Sequence, residues 1–360
     1  MSLGDDGSEL AVKHDRVRAI LQERGAASVL LESHAAVAWL LGGARVHVSL
    51  AAPPIVAVRV DAASVTVFAT SNEAHRLRAE ELPAGVALVE RDWFEAVSFA
   101  PATEGSDAAL REHEVEVELR AARRALLPVE QQRYRELGAD AAVALGDVLR
   151  AARPADTERS VAARLAARLI EVGADPVVLL VAGASRLAER HPLPTDAAIG
   201  RRAMAVVCAR RHGLIANVTR WVRFGAASPS ELDAERRILE VEADGFDALR
   251  RRTGLADVLN AVTAAYPAHG FATDEWLRHH QGGAAGYHGR DPRLAPGVDG
   301  SIELGQAFAL NPSAPGVKVE DTVLLAPDAA GGVAIEVLTC DPAWPTIAVR
   351  GVERPVTLER

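Results

Sequence analysis

The chain has 360 residues, 49% of them hydrophobic, with 40 basic and 49 acidic side chains and a net charge of −9. That is enough apolar material for a two-domain globular protein, and the acidic balance excludes a global basic field that would draw it to nucleic acid or anionic lipid. Two cysteines exclude a disulfide framework or a four-cysteine zinc site, and only two lysines, Lys13 and Lys318, stand beside 38 arginines.

No apolar run reaches about eighteen residues and no basic-then-apolar leader precedes Val12, so the expectation is a cytoplasmic protein with reduced thiols and no membrane partner. Residues 14–24 have helical spacing, with Val17, Ile20 and Leu21 on one side. Residues 27–31 read as a strand, and 37–41 form another apolar run that ends at Gly42-Gly43. After Pro53-Pro54 come a strand at 55–60, a turn at Asp61-Ala62-Ala63, a strand at 65–68 and one more at 86–89. This alternation predicts a separate α/β domain over 1–112, followed by a charged linker at 112–118 and a second domain over 113–360.

A long helical stretch covers about 118–150, interrupted at Pro128. Ala155-Asp156-Thr157-Glu158 then signals a helix start, and that helix stops at Gly173. Short β-type runs follow at 177–181, 203–208, 214–222, 307–311, 317–325 and 332–338, with helices at 228–252 and 255–268 between them. Short connections between neighbouring runs predict antiparallel sheet.

Four patches carry residue types that suit chemistry. His191 precedes Pro192-Leu193-Pro194 on a stiff loop, which would fix its imidazole in space, although an exposed loop histidine has the same signature. The runs at 203–208 and 213–220 read as a hairpin that places Cys208 near Asn217, and a strand cysteine is ordinarily a small buried hydrophobe. His279, His280 and His288 lie within ten residues among Gly282, Gly283 and Gly286. Histidines bind metals or move protons, and glycines let backbone approach a ligand, but no phosphate-loop lysine follows them. Finally, Glu320-Asp321 interrupts an apolar β-type run. An acid facing inward there must be paired, metal-bound or protonated, and a solvated edge is the alternative.

Taken in this order, the patches resemble the superfamily of aminopeptidase P, prolidase, creatinase and methionine aminopeptidase, the pita-bread hydrolases. Residues 37–43 are similar to the Y-L-T-G-F-type segment of its amino-terminal domain, and residues 155–158 to the G-x-[ST]-E helix start. Gly305, Phe308, Pro312, Gly316, Glu320, Asp321 and Thr322 follow the line G-x-x-F-x-x-E-P-G…G-x-x-x-E-D-T. The resemblance covers nearly the whole chain. It implies an α+β fold, with a pita-bread C-terminal domain of antiparallel sheet and flanking helices after a smaller α/β domain.

It also implies a two-metal site built from Asp, Asp, His, Glu and Glu. Carried over residue by residue, those positions fall on Cys208, Asn217, His280, Asn311 and Glu320, so three of the five ligands are changed. One bridging carboxylate remains of four, and neutral amides do not replace that charge for hard divalent ions. His191 and His288 match the family's two proton-handling histidines. The expectation is no cofactor, with a single metal on Cys208, His280 and Glu320 as a lesser alternative. Creatinase, which hydrolyses a C–N bond without metal through the histidine at the His191 position, supplies a partial precedent. The site residues expected to act are therefore His191, His280, His288 and Glu320, in a metal-independent hydrolase of a C–N bond in a small amidine, urea-like or amide substrate; the alternatives are a retired peptidase that only binds a small ligand, short peptide or protein partner, and a metal-dependent Xaa-Pro peptidase with an atypical site. A homodimer is implied by the resemblance, with Arg45 and His47 placed where amino-terminal domains can contribute to a pocket, a surface loop being the alternative.

Overall fold

A computed structural model describes residues 8–97 and 109–360. The described backbone packs as two units, one of residues 8–97, 109–129 and 212–214, the other of residues 130–211 and 215–360.

In the first unit, α1 (Ser8–Arg24) buries Val17, Ile20 and Leu21, the face expected from their spacing. Then come β1 (Ser28–Leu31), α2 (His34–Leu40), β2 (Val56–Asp61), β3 (Val65–Thr70), α3 (Ser71–Arg76), β4 (Ala87–Arg91), β5 (Leu110–Arg111) and α4 (Glu116–Arg124). The strands form one mixed sheet in the order β4-β3-β2-β1-β5. The apolar run at 37–41 is mostly helix because Ser33 caps it, its hydroxyl accepting from Ala36 N at 3.0 Å. The β2–β3 turn is closed by Asp61 Oδ1, which accepts from Ala63 N and Ser64 N at 2.9 and 2.8 Å. Lys13 is fully buried in α1, paired with Glu9 at 2.5 Å and donating to the Trp39 carbonyl at 2.6 Å.

The charged stretch at 112–118 is not an open linker. It winds as a 3-10 turn and the start of α4, and Glu112 accepts from Glu32 N and Ser33 N at 2.6 and 2.8 Å. Charge there caps backbone donors rather than meeting only water.

The second unit contains α5 (Pro128–Ala151), α6 (Glu158–Glu171), β6 (Asp175–Ala182), β7 (Arg202–Arg211), β8 (Leu214–Arg223), α7 (Pro229–Arg251), α8 (Leu255–Ala268), β9 (Gly282–Ala285) and β10 (Ala307–Leu310). It continues with β11 (Ser313–Ala314), β12 (Val317–Lys318), β13 (Asp321–Pro327), β14 (Val333–Val337), β15 (Thr346–Val349), β16 (Val352–Pro355) and β17 (Leu358–Glu359). Pro128 opens α5 at its first position, where a missing N–H costs nothing, and Thr157 caps α6 by accepting from Ser160 N at 3.1 Å.

Two four-stranded sheets carry the unit, ordered β17-β8-β7-β6 and β14-β13-β10-β9. The second is antiparallel throughout, as is the β6–β7 pair, while β17 joins β8 in parallel. Helices α7 and α8 cover the second sheet through Phe246, Leu249, Val262 and Tyr266 against Phe308, Leu310, Val323 and Leu325. Each such side chain contributes about 1.5–3 kcal/mol on burial, which fixes the strands that carry the site.

Candidate active site

The loop between β6 and β7 carries His191, and a buried carboxylate holds it. Glu158, at the start of α6, accepts from Gly183 N at 2.8 Å, Thr195 N at 2.9 Å and the Thr195 hydroxyl at 2.7 Å, and pairs with Arg186. Pro192 adds its own tie, its carbonyl accepting from Val181 N at 3.1 Å. Next to His191, Arg190 donates to the Ser313 hydroxyl at 2.9 Å and pairs with Glu275, which begins the turn leading to His279 and His280. This cross-tie brings two sequence patches together.

The result is a cluster of three imidazoles. His191, His279 and His280 offer ring nitrogens that all lie within 4.8 Å of one another. Nε2 of His279 is 3.2 Å from Nε2 of His191, and the rings of His279 and His280 stack at 4.4 Å. A nitrogen pair at that distance needs one protonated and one bare partner, so the two rings share a single hydrogen. Burial lowers the pKa of His191, helped by the charge of Lys318. Burial drives His279 and His280 further, to about 3 each, with Lys318 assisting at His279 and Arg290 at His280. All three are neutral bases near pH 7.

These shifts set an acid sensitivity. Histidine in the unfolded chain takes its proton near 6.5, whereas the folded rings of His279 and His280 resist it down to about 3. Between those values the unfolded state holds more protons, so stability is full above pH 6.5 and is lost as pH falls. Urea unfolding at pH 7 and pH 5 is expected to show the wild type losing more stability than the double variant His279→Gln/His280→Gln. Equal losses would remove the rings as the cause.

Behind the imidazoles, a two-residue turn joins β7 to β8 and sets Cys208 beside Asn217, as the hairpin reading expects. Cys208 Sγ donates to Asn217 Oδ1 at 3.1 Å, and Asn217 Nδ2 donates to the Ile215 carbonyl at 3.2 Å. Burial pushes the Cys208 thiol up to about 12, and the nearby Glu320 charge adds to the rise. A thiol so held is a poor nucleophile at neutral pH. Asn311, just past β10, lies with Nδ2 3.4 Å from His280 Nδ1, and its buried Oδ1 finds no partner among the described residues.

Glu320 and Asp321 are both buried, so neither is a solvated edge; the run at 317–325 breaks between β12 and β13, and each acid turns inward to its own cations. Glu320 accepts from Arg290 Nη2 and Lys318 Nζ at 2.7 Å each and from the Thr219 hydroxyl at 2.8 Å. Burial alone would raise its pKa, but Lys318 and Arg290 outweigh it and hold the carboxyl at about 2. Asp321 pairs with Arg220 and Arg354 at 2.8 Å each, and Arg354 also holds Glu242.

Cys208, Asn217, His280, Asn311 and Glu320 thus belong to one unit, on adjoining strands and loops. His288 is exposed on the turn after β9 and is not a member of the histidine cluster. The glycines have a different cause from the one expected: a Cβ at Gly282 would collide with the Ala309 carbonyl, and one at Gly283 with the Pro292 carbonyl. They admit neighbouring backbone rather than a ligand. Sequence reasoning had His279 in the histidine patch but not among the acting residues, and it passed over Arg290, Thr219 and Lys318 as parts of the site. Lys318 carried a signal, as one of two lysines, while Arg290 was one arginine among 38.

The donor set is a poor match for two hard divalent ions. At the positions the resemblance assigns to ligands stand a protonated thiol, two amides, an imidazole and one carboxylate, and both oxygens of that carboxylate are taken by protein cations. The alternative single-metal set of Cys208, His280 and Glu320 does not form a close group; His191, His279 and His280 do, among the described residues.

Comparison with known proteins agrees on the fold. A model of metallopeptidase family M24 matches residues 132–336. Comparison with curated protein sequences finds no significant match. Among solved structures, the dipeptidase PepE of Mycobacterium ulcerans superposes with a TM-score of 0.75 at 17% identity, covering 99% of this chain and 100% of that one. The prolidase of Pyrococcus horikoshii OT3 gives 0.74 at 16% identity, covering 91% and 98%. The Xaa-Pro dipeptidase of Bacillus anthracis gives 0.71 at 17%, covering 92% and 98%. With the family model spanning more than half of the sequence and the fold agreeing over nearly all of it, the chain belongs to metallopeptidase family M24.

Proposed function

We propose that this protein is a metal-independent hydrolase of C–N bonds in a small amide, amidine or urea-like substrate, with His191 as the general base. The supporting observation is the capture of Glu320 by Lys318 and Arg290, which puts fixed protein cations against the one remaining ligand carboxylate. The family description names metallopeptidases, and relatives in fold are named for Xaa-Pro dipeptides, so cleavage of such peptides with metal is the reading to be displaced.

In the proposed reaction, His191 takes a proton from water and the hydroxide adds to the substrate carbon. The electron pair displaced from the C=O or C=N bond moves to the heteroatom. His191 then delivers its proton to the leaving nitrogen as the C–N bond breaks. His279, sharing a hydrogen with His191, fixes the tautomer that keeps the base ready. His280 orients the substrate beside Asn311.

A second reading, a non-catalytic binder, has one observation in its favour: both oxygens of Glu320 are already bonded to protein cations. The homodimer stays part of the proposal on the resemblance alone.

The test is a panel of N-methyl guanidino acids, cyclic amidines and Xaa-Pro dipeptides, assayed with chelator and with added Mn²⁺ or Co²⁺. Turnover is expected with chelator present, and His191→Ala is expected to lower kcat by about 10²- to 10⁴-fold. Xaa-Pro cleavage that appears only with metal would overturn metal independence. Ligand binding without turnover of any substrate would select the binder.

A further inference from the structure

Around Glu320, buried hydrogen-bond donors outnumber the acceptors that answer them among the described residues. The Lys318 side chain is 6% exposed, and its one bond among the described residues goes to Glu320, although an ammonium carries three N–H donors. Arg290 is 8% exposed in its side chain; it donates to Glu320 and to the Gly289 carbonyl, while its buried Nε has no acceptor among the described residues. Nδ1 of His279 is buried with no partner among the described residues, and it is a donor in the tautomer in which His191 donates to His279. Donors held out of water in this way favour a ligand that brings acceptors.

Charge selects which ligand. Lys318 and Arg290 carry two positive charges against the single negative charge of Glu320, and the charge of Arg293 is also felt at His191 and His280. The excess is positive. It repels a metal ion and favours an oxyanion, and the Glu320 carboxylate at close range disfavours a phosphate dianion more than a monoanion.

We infer that the place the family reserves for metal is, in this chain, a carboxylate site, in which Lys318 and Arg290 bind the carboxylate of a small monoanionic acid beside the His191–His279 pair. The inference rests on the reading of this pocket as the ligand site, and it narrows the substrates to amides or amidines that carry a carboxylate. Lys318 supplies the charge selectivity, and its carboxylate partner Glu320 holds the ammonium in position without cancelling the pocket's net charge.

The scarcity of lysine makes the test direct. Protein labelled with ¹³C at lysine has two side-chain signals, assigned by the variant Lys13→Arg, and it is titrated at constant ionic strength with N-acetylglycine, N-acetylglycinamide and inorganic phosphate. N-acetylglycine is expected to shift the Lys318 signal and leave Lys13 unmoved, while the neutral amide shifts neither. By calorimetry, Lys318→Gln is expected to weaken N-acetylglycine binding by about ten- to a hundredfold, the range for a hydrogen bond to a charged group, and Lys318→Arg to retain most of it. Equal shifts with the neutral amide, tighter binding of phosphate than of N-acetylglycine, or an unmoved Lys318 signal at saturation would each overturn the site. The wild-type titration decides the matter even if Lys318→Gln does not fold. N-acetylglycine binding without hydrolysis of the substrate panel would end the hydrolase reading and leave this one standing. Hydrolysis of neutral amides that N-acetylglycine does not inhibit would do the reverse.

Discussion

Arg354→Met is expected to destabilise the protein by about 3–5 kcal/mol, the cost of stranding a buried charge. Arg354 is 1% exposed. It donates to both oxygens of Glu242 at 2.7 and 2.9 Å and to Asp321 at 2.8 Å, and both acids are fully buried. Asp321 keeps Arg220 at 2.8 Å and the Thr339 hydroxyl at 2.5 Å. Glu242 loses its guanidinium outright. Burial already lifts the Glu242 pKa to about 7 against the pull of Arg354, so removing that arginine makes protonation the cheaper outcome. The double variant Arg354→Met/Glu242→Leu is expected to recover much of the loss, because an apolar pair of similar volume does not carry the desolvation cost. Urea unfolding curves measure both. A single variant no less stable than the double would mean that the ion pair is not what holds this corner.

The second large effect concerns metal. Cys208→Asp, Asn217→Asp and Asn311→Glu together return the carboxylates that the family pattern places at those positions. The resident cations oppose the incoming ion. At about 4 Å and an effective dielectric near 20, each unit charge opposes another by roughly 4 kcal/mol, which is more than two decades of affinity. The triple variant is therefore expected to bind Mn²⁺ weakly. Adding Lys318→Ala and Arg290→Ala is expected to raise affinity at least about a hundredfold by calorimetry. Tight binding of two ions by the triple variant alone would refute the idea that protein cations block the metal positions. Failure of all five substitutions together would show that the carried-over positions no longer converge.

Much of this fold was legible because its signals are local. Pro128, Thr157 and Gly173 bound their helices through dihedral limits and capping, and the alternating runs around 203–222 folded into the expected hairpin. The run at 37–41 was ambiguous because apolar residues alone do not separate helix from strand; the cap at Ser33 decided it. Short edge strands such as Thr346–Val349 and Val352–Pro355 escaped notice, since their residues are partly exposed and lack a long pattern.

The site was legible in outline through its ordered motifs, and its inner chemistry was not. Nothing in the stretch 316–322 reveals that Lys318 turns onto Glu320 two residues away, because the run breaks there and alternation fails. Arg290 reaches Glu320 across thirty residues of chain, a contact set by tertiary packing. Nor does sequence distinguish a glycine that admits a ligand from Gly282, which admits the strand carrying Ala309.

The two lysines lie one in each compact unit, Lys13 inside α1 and Lys318 on β12, and both are buried. The surface therefore offers arginine in place of lysine, and its guanidinium is inert to acylation, carbamylation and isopeptide attachment. Amine-directed reagents and lysine-specific proteases find their lysine targets only in the interior, and each cut or adduct reports a transient opening of one unit alone. The chain carries, in effect, a built-in pair of opening sensors that separate the breathing of its two halves.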